Sequence, residues 1–381
     1  MGGASRLILF ISPPVTKSMS PTSGPPQATG NIDLGAVFQT FTNRTDQKRT
    51  HGQIFRSFLH ELRKRDEVLL FPPRSAGQTT AIAQHLVDLG CGDGTAAVEM
   101  VQAFSDVIPV YASSTHGARS RVKHDNAKLI YHGFDNDDRF LQSTLEALND
   151  LRYKDNPAVV DVKVDVRHVD VTGGDQLPLP RPMDHTFVSV GHLLYYAQSS
   201  SCIAKVVDNV VQLLGRRSMA MFVHSAGQCN LALLRESVAS SVVVARPSVC
   251  IAEIAKQQQK KLISAIIPYW IQFPSMTSQQ WEDCKDPRRY KLPTNRDDEK
   301  FTILLELLMF IAQRSLNDLA EEGLLETFVD AVRKHLNNEN NRFVGLTDYQ
   351  FILAPSHFSS TEMDTINDAV AAAVRSAREC M

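Results

Sequence analysis

The sequence lacks most of what a metal, membrane or nucleic-acid protein needs. Its six cysteines (Cys91, Cys202, Cys229, Cys250, Cys284, Cys380) form no Cys-x-x-Cys pair and have no histidine at ligand spacing. That excludes a zinc ribbon and offers no disulfide framework, so a reducing compartment and no metal site are expected. No apolar run approaches the roughly 20 residues that span a bilayer, and the richest, 303–312, is interrupted by Glu306. Neither sign of charge prevails: 40 Lys and Arg against 42 Asp and Glu leave a net charge of -2, too even for blanket neutralisation of phosphates. No internal repeat is visible. What remains is a chain of 381 residues, 43% hydrophobic, long enough for one large domain or two ordinary ones.

Residues 1–32 lack Asp and Glu, hold only Arg6 and Lys17 as basic residues, and are rich in Ser and Pro. That composition predicts a disordered or targeting leader over 1–45. The apolar patch 7–11 is shorter than a secretory core region, and Arg6 stands where myristoylation wants a hydroxyl. A cytoplasmic monomer is expected, with organelle targeting by residues 1–32 as the other reading.

From residue 53 the pattern becomes regular. Ile54, Phe55, Phe58, Leu59 and Leu62 fall at helical spacing over 53–65. Short apolar runs at 85–89, 128–134, 186–190 and 218–224 read as strands, and so does 159–169, where Val162, Val164 and Val166 alternate with Lys163, Asp165 and Arg167. Helical stretches at 95–104, 138–148 and 203–214 alternate with them. Such alternation predicts an α/β fold, a doubly wound and mostly parallel sheet with helices on both faces. Beyond Ser225 the expectation is a helix over 249–260 and a strand over 262–273 placed at an edge or bulged by Pro268. A polar irregular stretch over 279–298, helices over 301–321 and 324–336, a strand over 342–353 and a terminal helix over 361–381 follow.

The strongest local signal is His85-Leu-Val-Asp88-Leu-Gly90-Cys91-Gly92-Asp93-Gly94-Thr95, set between a strand and a helix. The three glycines permit positive φ and close approach of a ligand to the backbone at the strand's carboxyl end. A dinucleotide turn would need its third glycine at 95, where Thr stands, and would bring a pyrophosphate towards Asp88 and Asp93. At about 5 Å and an effective dielectric near 20, each like-charge contact costs roughly 3 kcal/mol before screening. A cation is suited instead, and S-adenosylmethionine carries a sulfonium and an ammonium. Asp135, at the next strand end, can accept from ribose hydroxyls. Asp170 or Thr172, after the third strand, can meet the adenine edge.

With these residues the chain resembles class I S-adenosylmethionine-dependent methyltransferases: Asp88-x-Gly90-x-Gly92-x-Gly94, Asp135 and Asp170 match their first three signature positions over about 80–225. A narrower likeness follows from Phe187-Val-Ser-Val-Gly191-His192-Leu-Leu-Tyr195-Tyr196 and the Phe-Arg-x-Phe-Leu helix beginning at Phe55. This resembles histamine N-methyltransferase and its relatives over roughly 50–355. In that family a glutamine matching His192 binds an imidazole substrate, and an asparagine matching Thr347 lies on the last strand. The amino-terminal acid that meets the amine has Glu61, Asp66 and Glu67 as candidates here.

The resemblance implies S-adenosylmethionine as cofactor, with Asp88, Gly90, Cys91, Gly92, Asp93, Gly94, Asp135, Asp170, Thr172 and Gly191 around it. It implies Phe55, His192, Tyr196 and Thr347 on the side of a small-molecule acceptor, a histamine-like amine or imidazole. His192, Tyr195 and Tyr196 are the residues expected to carry the chemistry: His192 as hydrogen-bonding or proton-accepting group, the tyrosines as walls whose ring faces hold a cation. Phe58, Trp270 and Trp281 are further candidate walls. The rival expectations are an O- or S-directed small-molecule methyltransferase and an inactive donor-fold scaffold. A nucleic-acid methyltransferase is disfavoured, because no Asn/Asp-Pro-Pro-Tyr follows the fourth strand. The expected domains are the leader over 1–45, helix and donor core over 46–225, and a substrate-binding insertion over 226–341. A closing strand over 342–356 and the terminal helix over 357–381 complete the chain.

Overall fold

Five short strands build the frame: β1 (Ala83–Leu89), β2 (Lys128–Asp135), β3 (Asp161–His168), β4 (Thr186–Gly191) and β5 (Met219–Ser225). The computed structural model describes residues 34–64, 83–107, 128–153, 161–194, 197, 199–227, 229–238, 247–289, 296–337 and 340–379. The five strands are parallel and lie in the order β3-β2-β1-β4-β5. β4 is buried over all but its last residue and β5 throughout, which is why both are largely apolar and carry no Asp, Glu, Lys or Arg. β8 (Arg342–Leu353) follows antiparallel to β5, and β6 (Lys261–Gln272) closes the edge antiparallel to β8. Pro268 sits on that edge strand, as its missing N–H requires. The expected doubly wound, mostly parallel α/β sheet is therefore what the chain forms.

Helices α2 (Gln47–Lys64), α3 (Thr95–Val107), α4 (Asp138–Tyr153) and α12 (Ser360–Glu379) cover one face of the sheet. On the other lie α5 (Ser200–Leu213) and α7 (Pro247–Gln257). The terminal helix has a structural purpose: Ile366, Ala369, Val370, Ala373 and Ala377 are buried in the core that α2 shares.

A second core lies off the sheet. Residues 347–353 of β8 pair with β5, but 342–346 run past the carboxyl end of β5 beside β6, with β7 (Leu336–Asn337) on their flank. Around this overshooting ribbon gather α1 (Leu34–Arg44), α6 (Asn230–Ser237), α8 (Ser278–Asp283), α9 (Arg296–Ala312), α10 (Leu316–Glu321) and α11 (Leu325–Lys334).

Three sequence expectations are corrected here. The leader assigned to 1–45 contains helix α1, whose Phe41 is buried and stacks on Phe310 at 3.7 Å between ring centroids. Full burial of one such ring contributes about 1.5–3 kcal/mol, enough to fix a short helix against α9. Residues 1–33 lie outside the described residues. The stretch 279–298 is not irregular throughout, since α8 is started by a capping box between Thr277 and Gln280. The single helix over 301–321 is two: the first ends at Ala312, where Gln313 turns to φ 55°, and Ser315 caps α10 by accepting from Asn317 N.

Candidate functional site

Strand order reverses between β1 and β4, so the crevice of an open α/β sheet lies at their carboxyl ends. The glycine turn closes β1 there. Gly90, Gly92 and Gly94 take φ of 73, 56 and 82°, the left-handed conformations expected from the sequence. Gly90 and Cys91 donate their N–H groups to Phe134 O, tying the turn to β2. At Gly94 a Cβ would stand 2.7 Å from Thr144 Cα, so glycine is what lets α4 approach. A Cβ on Gly92 would meet nothing nearer than Gly90 O at 4.0 Å. Gly92 is the open point of the turn.

Asp135 ends β2 beside it. Its Oδ2 accepts from Gly92 N at 3.0 Å and its Oδ1 from Asp137 N at 3.1 Å. Burial raises its pKa above the usual carboxylate value, while those backbone donors oppose the rise. Gly92, Asp137 and Asn136 all donate backbone N–H groups to this carboxylate, and of its roughly four lone-pair sites at least one is left to accept from a ligand. Asp137, one turn position on, is engaged by Arg139 at 2.7 Å.

Asp88 lies lower. Its carboxylate is buried and accepts from Tyr131 Oη at 2.9 Å. Burial pushes its pKa up to about 7, with the Tyr131 bond opposing and the Asp135 charge adding to the rise. The structure thus makes Asp88 a buried support under the turn, part-protonated at neutral pH, rather than an exposed charge. Cys91 is buried, and desolvation together with Asp88 and Asp135 pushes its thiol well above the ordinary range, which removes it as a nucleophile. Asp93 Oδ1 accepts from Thr95 N and starts α3. Past β3, Asp170 Oδ1 accepts from Thr172 Oγ1 at 3.0 Å and from Gly173 N at 2.8 Å, so both residues expected near an adenine hold their own turn.

On the other side of the reversal, β4 ends at Gly191, and His192 follows with φ 56° and its N–H donated to Val223 O. His192 is buried. Its ring meets that of His51, from the first turns of α2, edge-on at 6.2 Å between centroids. His51 also meets Tyr349 at 6.1 Å, and a Cβ on Gly191 would come 3.3 Å from its Cε1. Burial lowers the pKa of His51 to about 4, which keeps it neutral. One turn earlier on the same face, Gln47 Nε2 donates to Thr347 Oγ1 at 3.0 Å, both side chains being buried. The elbow before α2 is clamped to the ribbon: Trp270 N donates to Asp46 Oδ1 and Thr45 Oγ1 to Trp270 O.

The structure therefore brings together Gly90, Gly92, Asp135, Gly191, His192 and Thr347, all expected from the sequence, and adds Gln47 and His51, which were not. Those two continue the apolar face of α2 backwards at spacings of four, a signal lost when the helix is begun at 53. Phe55 and Phe58 are not walls of the crevice. Phe55 is fully buried against Phe104 and Phe187, and Phe58 packs on Phe351. Trp281 belongs to the off-sheet core, stacked on Phe273, and Trp270 lies under Arg342. Glu61 pairs with Lys64 at the far end of α2, about 15 Å along the axis from His51 at 1.5 Å per residue. Tyr195, Tyr196, Asp66 and Glu67 lie outside the described residues. Among the described residues, none of the side chains gathered at the crevice is a Lys or Arg, which suits a neutral or cationic ligand better than a polyphosphate.

No family model matches the chain, and no curated protein sequence matches it. Solved structures are similar to it at low identity and low TM-score. MccD protein is 12% identical, over 71% of this chain and 90% of that one, at a TM-score of 0.36. YjhP from E. coli is 12% identical over 78% of this chain and 100% of that one, at 0.35. Phosphoethanolamine N-methyltransferase 2 of Haemonchus contortus, in complex with S-adenosyl-L-methionine, is 16% identical over 72% of this chain and 50% of that one, at 0.32. Scores this low add nothing to what the crevice shows by itself.

Proposed function

We propose that the chain is an S-adenosylmethionine-dependent methyltransferase acting on a small nitrogen acceptor, a histamine-like amine or imidazole. The observation that carries it is the Asp135 carboxylate fastened to the open glycine of the turn, Gly92, at the switch point of the sheet. The residues fit the donor: an acid with a spare lone pair for ribose hydroxyls, a backbone that a ligand can approach closely, and, among the described residues at the crevice, no Lys or Arg to oppose a sulfonium. Bound there, S-adenosylmethionine supplies a methyl group activated for in-line displacement. The protein supplies orientation and a dry pocket. Asp135 holds the ribose, and Gly90 and Gly92 shape the floor. His192 and its neighbour His51 stand on the acceptor side. A neutral imidazole acceptor brings its own lone pair near pH 7, whereas an alkylamine must first lose a proton.

Two measurements test the donor half. Asp135→Ala is expected to weaken S-adenosylmethionine binding by about 1.5–3 kcal/mol, the range for hydrogen bonds to a charged group. Calorimetry reads it, and an unchanged Kd removes Asp135 from the ribose site.

The second is a pH dependence. Asp88 titrates near 7 when the crevice is empty, and a bound cation favours its ionised form. Affinity for S-adenosylmethionine should therefore rise from pH 6 to pH 8, by about three- to tenfold, since one released proton changes affinity at most tenfold per pH unit. The donor's own amino group also titrates, so the quantity to compare is the difference between wild type and Asp88→Asn. Parallel pH profiles in the two proteins mean that Asp88 does not sense the donor.

A further inference from the structure

We propose that His51 is an acceptor-binding residue: its Nε2 makes a hydrogen bond to an uncharged nitrogen group of the substrate, an azole or neutral amine, and orients that group for methylation. The proposal rests on the methyltransferase reading above and deepens it on the acceptor side.

His51 is 2% exposed, yet its Nε2 has no hydrogen-bond partner among the described residues. A buried polar atom of this kind is rare, because leaving it unmade forfeits its solvation. The position explains it. The ring sits at the end of β4, against Gly191 and across from His192, where the sheet opens its ligand crevice. Its setting is rigid: Tyr349 braces the ring, and the α1–α2 elbow is bonded to Trp270 on the β6/β8 ribbon.

Neutrality fits the same role. A charged imidazolium beside a sulfonium would weaken donor binding, and burial prevents that charge from forming. A ring held so far below neutral pH is also too weak a base to strip an alkylammonium. It therefore acts as an orienting hydrogen-bond partner, and the proton of an N–H acceptor stays on the substrate while the new N–C bond forms and the C–S electron pair leaves on sulfur. The chemistry selects a nitrogen that is already uncharged. Gln47 and Thr347, bonded to each other one turn away, bound the same wall.

The test uses the full chain saturated with S-adenosylhomocysteine and titrated calorimetrically with imidazole and with n-butylamine. The expected result is tighter binding of imidazole than of n-butylamine. His51→Phe, which keeps ring volume but no polar atom, should weaken imidazole binding about tenfold, the effect of one buried partner left unmade. His51→Gln should restore it to within about threefold, and the affinity for S-adenosylhomocysteine should stay within about twofold in both variants. Imidazole affinity unchanged in His51→Phe overturns the role of His51 and leaves the methyltransferase reading standing. Equal losses in His51→Phe and His51→Gln also overturn it, because they mark a packing role. Wild type that binds S-adenosylhomocysteine but neither probe overturns the nitrogen-acceptor reading, and His51's role with it.

Discussion

Gly90→Val is expected to abolish measurable binding of S-adenosylmethionine, a loss of at least about a hundredfold, while the protein stays folded. Gly90 holds φ 73°, a conformation that a β-branched residue adopts only at a cost of about 1–2 kcal/mol. Its added Cβ would also stand 3.0 Å from Leu193 Cδ1. The Leu193 side chain can yield, so the domain survives. The turn cannot keep its shape, and its shape is what presents Gly92 to Asp135 and to the donor. Gly94→Val would be the wrong choice, since its Cβ meets the backbone of α4 and the packing of that helix would fail with the site. Circular dichroism and a thermal melt verify the fold, and calorimetry reads the binding. Wild-type affinity in folded Gly90→Val would remove the turn from the donor site.

His192→Ala should lower kcat/KM for the methyl acceptor by about 10²-fold or more, the lower end for a group in acid–base or orienting contact. Donor Kd should hardly move, because His192 lies across the strand-order reversal from the glycine turn and Asp135. His192→Gln separates two roles. Glutamine bonds but takes no proton, so retained activity assigns His192 to orientation and lost activity in both variants assigns it to proton transfer. The backbone survives either change, since the His192 N–H, not its side chain, makes the bond to Val223 O. Full activity in His192→Ala would return His192 to packing.

The glycine-turn half of the crevice was legible because its signals are local. A glycine turn between a buried strand and a helix needs only a dozen residues; β4 and β5 announce themselves as largely apolar runs, and β3 by alternation of Val with charged residues. Pro268 placed β6 at the edge by the same kind of local rule. What the sequence hid depends on distant chain. The turn 47–52 reads as solvent-facing, Gln-Lys-Arg-Thr-His-Gly, until the β6/β8 ribbon, more than 200 residues later, clamps its elbow through Trp270. That clamp buries Gln47 and His51. Helix α1 was hidden for a related reason: its partner is α9, far along the chain, so a short run between polar stretches resembled a tail. Asp88 and Asp170 were read as ligand-facing by their places at strand ends. Tyr131 and the Asp170 turn itself claim their oxygens, and no spacing rule reveals such a partner.

The central claim is that the turn from Gly90 to Gly94, with Asp135, holds S-adenosylmethionine. Calorimetric titration of the full chain with S-adenosylmethionine, set beside a titration with a nicotinamide dinucleotide, tests it most directly. Saturable one-to-one binding of S-adenosylmethionine, with none of the dinucleotide, is the predicted result. Binding of the dinucleotide, or no binding of S-adenosylmethionine by folded protein, would contradict it.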